Sequence, residues 1–225
     1  MIAFVWDFDG VVAETPHEKA WELACKKCGI SGFSHDFYSK HVSGRPRLEG
    51  ARNILAMLAG KEPSNSGVER FASLKTRIYL ELLEGGEYRL RRDVISFIQQ
   101  ARQRGIVQVL ASASKNVFRL FEIVRMREGL DLASLFDLDV SGSGASKQEV
   151  FRNAIEKLRF TYSGSVKCIV FFDDAPSGVV AAKNLQQVAV GCFSKELLKY
   201  GADIVIEDFS ALSLQGFLEE LGCGL

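Results

Sequence analysis

The hydrophobic positions of this 225-residue chain follow two different periods. From Arg91 onward, amphipathic segments with apolar residues at helical spacing alternate with short, continuous apolar runs. Helices are predicted at 93–103, 116–127, 148–158, 176–184 and 210–221, and strands at 106–111, 136–140, 166–172, 188–191 and 204–206. Because such alternation builds a parallel sheet covered by helices, we expect a Rossmann-like, doubly wound parallel α/β fold.

The first strand stands apart from this alternation. The apolar run Ile2–Trp6 predicts a buried strand, and only helical patterns follow it up to about residue 86. These helices are predicted at 16–29, 36–41, 48–59 and 66–83, separated by glycine and proline signals. We therefore predict an α/β core domain of residues 1–15 and 87–225, with residues 16–86 inserted as an α-helical cap domain.

Composition and charge narrow the class of partner. The 28 basic and 28 acidic side chains cancel, so nothing indicates a nucleic-acid partner. No segment approaches the roughly 20 apolar residues of a membrane span, and the N-terminus lacks the basic start and long apolar core of a signal peptide. We expect a cytoplasmic protein that acts on a small molecule, without any signature of its oligomeric state.

The five cysteines form an odd and scattered set: Cys25, Cys28, Cys168, Cys192 and Cys223. This set argues against a disulfide framework and fits a reducing compartment. Cys25 and Cys28 form a C-x-x-C pair within a helical pattern, but no second pair or histidine cluster completes a zinc site. Packing is therefore the favoured role of that pair.

Polar side chains cluster at the ends of predicted strands, the edge where open α/β sheets bind ligands. The clusters are Asp7 with Asp9, Ser112, Lys147 after a Gly/Ser-rich turn, and Asp173 with Asp174. Each has a purely structural alternative, because aspartate and glycine end strands, serine and aspartate cap helices, and most lysines are solvated. Together, the four clusters suit a divalent cation and a phosphoryl group.

The chemistry of these groups favours phosphoryl transfer. Carboxylate oxygens at two strand ends suit Mg²⁺, and no set of histidine and cysteine favours zinc. A carboxylate such as Asp7 can attack phosphorus, while Ser112 and Lys147 can hold the transferred oxygens. Asp9 can then protonate the leaving group and later activate water.

The motifs resemble those of the haloacid dehalogenase-like superfamily over essentially the whole chain. The matching segments are DFDG at 7–10, Ser112, Lys147 and the acidic pair at 173–174. Within the superfamily, the segments DFDGVV, HEKAW and LASASKN look most like the β-phosphoglucomutase-like group. The resemblance implies a Rossmann-like core with an inserted helical cap that selects the substrate.

The resemblance also implies roles for individual residues. Asp7 would be the nucleophile and Asp9 the general acid and base. Asp7, Asp9 through its backbone carbonyl, and Asp174 would be Mg²⁺ ligands, with Asp173 binding the ion directly or through water. Dehalogenases of the superfamily lack the second aspartate, so Asp9 resembles the members that transfer phosphoryl groups.

Substrate contacts are expected from the cap and from the loop after Ser112. The candidates are His17, Arg45, Arg47 and Lys75 in the cap, and Ser114, Lys115 and Asn116 in the loop. Each cap residue could equally be an ordinary solvated side chain. Departures from the group's pattern, such as Arg91 and Arg92 in place of the common Pro-Gly, weaken the mutase assignment more than the family assignment.

We therefore expect a Mg²⁺-dependent phosphatase that hydrolyses a small sugar or polyol phosphate through an aspartyl-phosphate on Asp7. Hydrolysis is favoured because water can finish the reaction without the reorientation of a bisphosphate. A phosphomutase of the β-phosphoglucomutase kind is the alternative within the family. A non-catalytic phospho-acceptor module is an alternative of another class, since receiver domains also combine an acidic pair, a hydroxyl, a lysine and Mg²⁺.

Overall fold

A computed structural model describes residues 1–60 and 62–223 of the chain. They form two compact units, one comprising Met1–Glu14 and the chain from Leu90 onward, the other comprising Thr15–Arg89. The first unit is α/β and the second is helical. Among the helices that the structure describes, none combines the length and the apolarity needed to cross a membrane.

The α/β unit is built on a six-stranded sheet. The strands of the chain are β1 (Ile2–Trp6), β2 (Ala13–Glu14), β3 (Arg89–Leu90), β4 (Val107–Leu110), β5 (Leu138–Asp139), β6 (Cys168–Asp173), β7 (Val188–Cys192) and β8 (Ile204–Ile206). The large sheet has the order β5-β4-β1-β6-β7-β8 with parallel pairings, and β2 pairs with β3 separately. The predicted parallel α/β fold is confirmed.

Helices cover the sheet, and α1 to α4 make up the helical unit. The helices are α1 (His17–Lys27), α2 (His35–His41), α3 (Arg47–Leu58), α4 (Asn65–Glu84), α5 (Arg92–Gln103), α6 (Val117–Glu128), α7 (Lys147–Thr161), α8 (Pro176–Asn184) and α9 (Leu214–Glu220). In the helical unit, α4 packs against α1 and α3. The rings of Trp21 and Phe71 join α1 to α4 at a centroid distance of 5.5 Å.

The central strand β1 is buried along its whole length, as its uninterrupted apolar run predicts. Its alternate side chains lie on opposite faces of the sheet. Phe4 packs in an aromatic cluster with Phe97 of α5 and Phe217 of α9. Val5 belongs to a second cluster, which includes Phe151 of α7. Both faces of the sheet are therefore covered, and the fold is doubly wound.

Some predicted boundaries are wrong. The final helix begins at Leu214 instead of 210, because Ser213 caps it by accepting a hydrogen bond from the Gly216 amide at 3.4 Å. The strand predicted at 136–140 shortens to Leu138–Asp139. The helix predicted at 148–158 extends over Lys147–Thr161. The last change matters for the site, because it makes Lys147 the first residue of α7.

The cysteine set argued against a disulfide framework, but Cys168 and Cys223 form one disulfide. They are separated by 55 positions and meet only because the chain after α9 returns to the start of β6. Sequence spacing cannot reveal such a pair. Cys25 is free and buried, whereas Cys28 is free and exposed.

Candidate active site

The register of the two central strands places two aspartates side by side. Trp6 of β1 pairs with Phe172 of β6, so Asp7 and Asp173 follow on the same edge of the sheet. The Asp7 amide donates to the Phe172 carbonyl at 2.9 Å, and the rings of Trp6 and Phe172 stack at 3.8 Å. Because strand order reverses between β1 and β6, this edge is the switch point where such sheets bind ligands.

A buried lysine lies between these two carboxylates. Lys147 Nζ is 2.7 Å from Asp7 Oδ1 and 2.9 Å from Asp173 Oδ2. All three residues are at most 4% exposed. Lys147 is held at the start of α7, where Ser146 caps the helix by accepting from the Glu149 amide. Lys147 is therefore a charge-paired side chain of the site and not a solvated lysine.

Asp174 completes a cluster of three carboxylates. One oxygen each of Asp7, Asp173 and Asp174 lies within 4.8 Å of the others. Burial raises the pKa of Asp7 to about 7, with Asp173 and Asp9 adding to the rise and Lys147 opposing it. Burial also raises the pKa of Asp174, helped by the charges of Asp173 and Asp7. The cluster therefore favours added positive charge.

The charge balance of this cluster fits a divalent cation. When the three carboxylates are all ionised, they outnumber the one ammonium group by two negative charges. Asp7 Oδ1 and Asp173 Oδ2 are completely buried and have ion-pair contacts with Lys147 but no hydrogen bond of regular geometry. Hard oxygen ligands of this kind suit Mg²⁺, and the cluster contains neither cysteine nor histidine.

Two glycines make room for the carboxylates of the cluster. A Cβ atom on Gly10 would overlap the Asp174 carboxylate, and Gly10 has a positive φ of 91° that other residues adopt at a cost. A Cβ atom on Gly178, in the first turn of α8, would overlap the carboxylate of Asp173. Neither aspartate is a helix cap, because α8 begins after Ala175 and has no side-chain cap.

Asp9 and Ser112 form a hydrogen-bonded pair at the same edge. Ser112 Oγ donates to Asp9 Oδ2 at 3.1 Å and accepts from the Ser114 amide at 3.0 Å. The Ser112 amide donates to Ser141 Oγ at 3.2 Å. Ser112 is 1% exposed and does not cap α6, whose capping position is Asn116. The pair holds a carboxylate and a hydroxyl next to the acidic cluster.

The loop candidates follow Ser112 and are more exposed. Ser114 Oγ accepts from the Asn116 amide at 3.2 Å, and both residues are partly buried. Lys115 is exposed, and its aliphatic chain lies against Gly142, where a Cβ atom would crowd Lys115 Cγ. These three residues are therefore more accessible than Ser112, whose side chain is buried.

The cap candidates lie in the helical unit and do not form one cluster. Lys75 is 3% exposed and lies 5.1 Å from the Trp21 ring and 4.8 Å from the Tyr79 ring. His17 contacts Lys75 Nζ through Nδ1 and stacks on Tyr79 at 4.1 Å. The two remaining candidates have other partners: Arg45, just before α3, pairs with Glu49 of α3, and Arg47 of α3 donates to Thr76 of α4.

Sequence reasoning missed residues that support the site without carrying its chemistry. Gly178 is one, and a glycine near the start of a helix was the only signal available. Gln108 is another, since its buried side chain accepts from Trp6 Nε1 at 2.8 Å directly before Asp7. Arg91 is a third, because its Nε donates to the Gly10 carbonyl at 3.0 Å.

Comparison with known proteins defines the class of this chain. The chain belongs to the haloacid dehalogenase-like hydrolase family, whose model matches residues 1–186. The resemblance expected from the motifs is confirmed, and the protein is an enzyme of a hydrolase family.

Individual relatives within the family include sugar-phosphate mutases and a sugar-phosphate phosphatase. An archaeal β-phosphoglucomutase from the hyperthermophilic Pyrococcus sp. strain ST 04 is 38% identical, with full coverage of both chains and a TM-score of 0.78. A β-phosphoglucomutase from Clostridium difficile shares the fold, with 23% identity, a TM-score of 0.81 and coverage of 99% and 98%. 2-Deoxyglucose-6-phosphate phosphatase 1 of Saccharomyces cerevisiae is 28% identical over 93% of this chain and 89% of its own length.

Proposed function

We propose that this enzyme is a Mg²⁺-dependent phosphatase that hydrolyses a small sugar or polyol phosphate through an aspartyl-phosphate on Asp7. The observation that carries the proposal is the buried contact of Asp7 with Lys147, beside the carboxylates of Asp173 and Asp174. A carboxylate at a strand end, next to a fixed cation and a site for a second one, is equipped to attack a phosphoryl group.

The metal ligands would be Asp7, Asp174 and the backbone carbonyl of Asp9. Asp173 already accepts from the Ala175 amide through Oδ1 and pairs with Lys147 through Oδ2. Its oxygens are thus engaged by the protein, which supports binding of the ion through water. When bound, Mg²⁺ supplies the positive charge that offsets phosphoryl oxygens.

The reaction would proceed in two displacements. An Asp7 carboxylate oxygen attacks phosphorus, the bond from phosphorus to the ester oxygen breaks, and protonated Asp9 gives its proton to the leaving alkoxide. Asp9 then takes a proton from water, whose oxygen attacks phosphorus and releases inorganic phosphate from Asp7. Lys147 and Ser112 hold the equatorial oxygens throughout. Asp9 ends protonated, ready for the next cycle.

The substrate class is supported by a relative and by the helical unit. The yeast relative is named for the phosphatase reaction of a hexose phosphate. We propose that residues 16–86 act as the cap and that His17, Arg45, Arg47 and Lys75 read the sugar or its distal groups. Ser114, Lys115 and Asn116 would contact the substrate from the core. Polar and cationic side chains of this kind suit hydroxyl and phosphate groups.

A phosphomutase is the second candidate, and one observation favours it. The relative with 38% identity and full coverage is a β-phosphoglucomutase. A mutase would return the phosphoryl group of Asp7 to a different hydroxyl of the sugar instead of to water. A non-catalytic phospho-acceptor has no comparable support, because the family of this chain is one of hydrolases.

The test is a panel of metabolite phosphates with Mg²⁺, read in parallel for phosphate release and isomer formation. We expect phosphate release from one or more sugar or polyol phosphates, loss of that release with EDTA, and loss in Asp7→Asn. Isomerisation of a sugar 1-phosphate that needs a bisphosphate primer and outpaces release would establish the mutase. A long-lived phosphorylated protein without turnover would revive the acceptor module.

A further inference from the structure

Arg91 connects three segments of the α/β unit through one guanidinium group. Its Nε donates to the Gly10 carbonyl at 3.0 Å, and its Nη2 is 3.0 Å from Glu14 Oε1. The guanidinium carbon lies 3.7 Å from the ring centroid of Phe193. In addition, the Arg91 amide donates to the Val12 carbonyl at 3.0 Å. The guanidinium group is therefore held at two of its nitrogens and on one face, and the backbone of Arg91 is held as well.

Gly10 contacts both Arg91 and the acidic cluster, so it connects the two directly. Gly10 donates its amide to the Ala13 carbonyl at 2.7 Å, so its two peptide groups are both held. The Asp174 carboxylate rests directly on the Gly10 α-carbon, where no Cβ could fit. The position of Gly10 therefore sets the surface on which this carboxylate lies.

We propose that Arg91 is a positioning residue for the metal site, acting on Asp174 through Gly10. The inference rests on the proposed function, since it assumes that Asp7 and Asp174 bind Mg²⁺. Arg91 is fitted to this task because its planar fork reaches a carbonyl and a carboxylate at once. A lysine at this position could hold the carbonyl or Glu14, but its single nitrogen cannot keep the fork geometry.

The surroundings of Arg91 support a fixed, and not a solvated, side chain. Its side chain is 23% exposed, and the segment it holds lies directly after Asp9. Phe193, which stacks on the guanidinium, itself has a positive φ of 68° although it is not a glycine. Non-glycine residues rarely adopt such a φ, and they keep it where the surrounding structure over-determines it.

The neighbouring arginine provides a matched control. Arg92 begins α5 and pairs with Glu128 of α6 at the surface. Arg92→Gln removes the same charge from the adjacent position without touching Gly10. A comparison of Arg91→Gln, Arg91→Lys and Arg92→Gln thus separates the Gly10 contact from the loss of positive charge.

The experiment measures the Kd for Mg²⁺ by isothermal titration calorimetry on the full-length protein and variants, with urea unfolding in EDTA as a measure of folding. We expect Arg91→Gln and Arg91→Lys to weaken Mg²⁺ binding by about tenfold or more, as loss of an outer-sphere partner does. Arg92→Gln should bind like the wild type. In Arg91→Ala, added methylguanidinium should restore part of the affinity.

The outcomes separate this inference from the proposed function. If the wild type binds Mg²⁺, Asp174→Asn does not, and both folded Arg91 variants bind like the wild type, the positioning role is overturned while the metal site stands. If the wild type itself binds no Mg²⁺, the metal site and the positioning role fall together. If Arg91→Gln unfolds, Arg91→Lys and the guanidinium rescue decide the matter.

Discussion

Two buried lysines, one in each unit, are stabilised in different ways. Lys147 of the α/β unit lies between the carboxylates of Asp7 and Asp173 and is 4% exposed. Lys75 of the helical unit is 3% exposed and lies over the rings of Trp21 and Tyr79. A buried charge needs compensation in either case. Lys147 is compensated by two carboxylates of the acidic cluster, whereas Lys75 contacts two aromatic rings and Nδ1 of His17.

We propose that this difference separates the residues of the chemical step from those of substrate recognition. An ion pair inside an acidic cluster fixes the atoms that would exchange a phosphoryl group, so its neighbours have little freedom to change. A lysine on aromatic rings can serve substrate binding without affecting the register of the sheet. We therefore expect substitutions around Lys147 to abolish catalysis and substitutions around Lys75 to change which substrate is used.

The largest effect on catalysis is expected when the proposed nucleophile is removed. Asp7→Asn keeps the size of the side chain but removes the attacking carboxylate, and we expect phosphate release to fall by about 10⁴-fold or more. Release from para-nitrophenyl phosphate with Mg²⁺ measures the change. Circular dichroism checks the fold, and a well-folded Asp7→Asn enzyme with undiminished turnover would exclude Asp7 as the nucleophile.

The next largest effect is expected when the cation of the acidic cluster is removed. Lys147→Met leaves the carboxylates of Asp7 and Asp173 without their cation, and we expect a loss of about 3–5 kcal/mol in the free energy of unfolding. Urea unfolding in EDTA measures this loss. Activity should fall as well, because the transferred oxygens lose a fixed positive charge. A fully stable Lys147→Met protein would show that the ion pairs are not needed for folding.

A smaller effect is expected at the glycine that accommodates Asp173. Gly178→Ala would place a Cβ atom on the Asp173 carboxylate, and we expect it to destabilise the protein by about 1–3 kcal/mol and to weaken Mg²⁺ binding. Gly216→Ala in α9 is the matched control, because the nearest heavy atoms to its new Cβ would be 3.8 Å away in Ser213.

The control variant Gly216→Ala should not lower the stability of the protein. Alanine favours a helix over glycine by about 0.5–1 kcal/mol, so Gly216→Ala should leave Mg²⁺ affinity unchanged and keep or raise stability. Equal behaviour of the two alanine variants in both measurements would contradict the proposed packing of Asp173 against Gly178.

The smallest effect on stability is expected for Lys75→Met. Methionine retains contact with the aromatic rings but loses the contact of Lys75 Nζ with His17 Nδ1. The cation–π part of the loss should be about 0.5–2 kcal/mol. We expect KM for a sugar phosphate to rise, while turnover of para-nitrophenyl phosphate stays close to that of the wild type. An equal loss with both substrates would place Lys75 in the chemistry and not in recognition.

The sequence predicted the sheet and the acidic cluster because their signals are local. The apolar run Ile2–Trp6 predicted a buried strand, and Asp7 directly follows it. The carboxyl ends of parallel strands meet at one edge, which brought Asp173 into the same prediction. Lys147 was found by its place after a Gly/Ser-rich turn, although its burial could not be foreseen.

What the sequence could not predict depends on contacts between distant segments. The Cys168–Cys223 disulfide depends on where the end of the chain returns to the sheet. Arg91 was visible only as a departure from a common Pro-Gly pair, and its contact with the Gly10 carbonyl spans 81 positions. The contact of Arg47 with Thr76, which lies 29 positions further along the chain, likewise had no local signature.

The central claim is that Asp7 carries the phosphoryl group, and trapping that group tests it most directly. Asp9→Asn should allow attack on para-nitrophenyl phosphate, whose leaving group needs no proton, but should stall the attack of water. The reaction is run with Mg²⁺, quenched with acid and analysed by peptide mass spectrometry. We expect a phosphate adduct on Asp7 in the Asp9→Asn protein, and no adduct in the double variant that also carries Asp7→Asn. Turnover without an adduct on Asp7, or an adduct on another residue, would contradict the account.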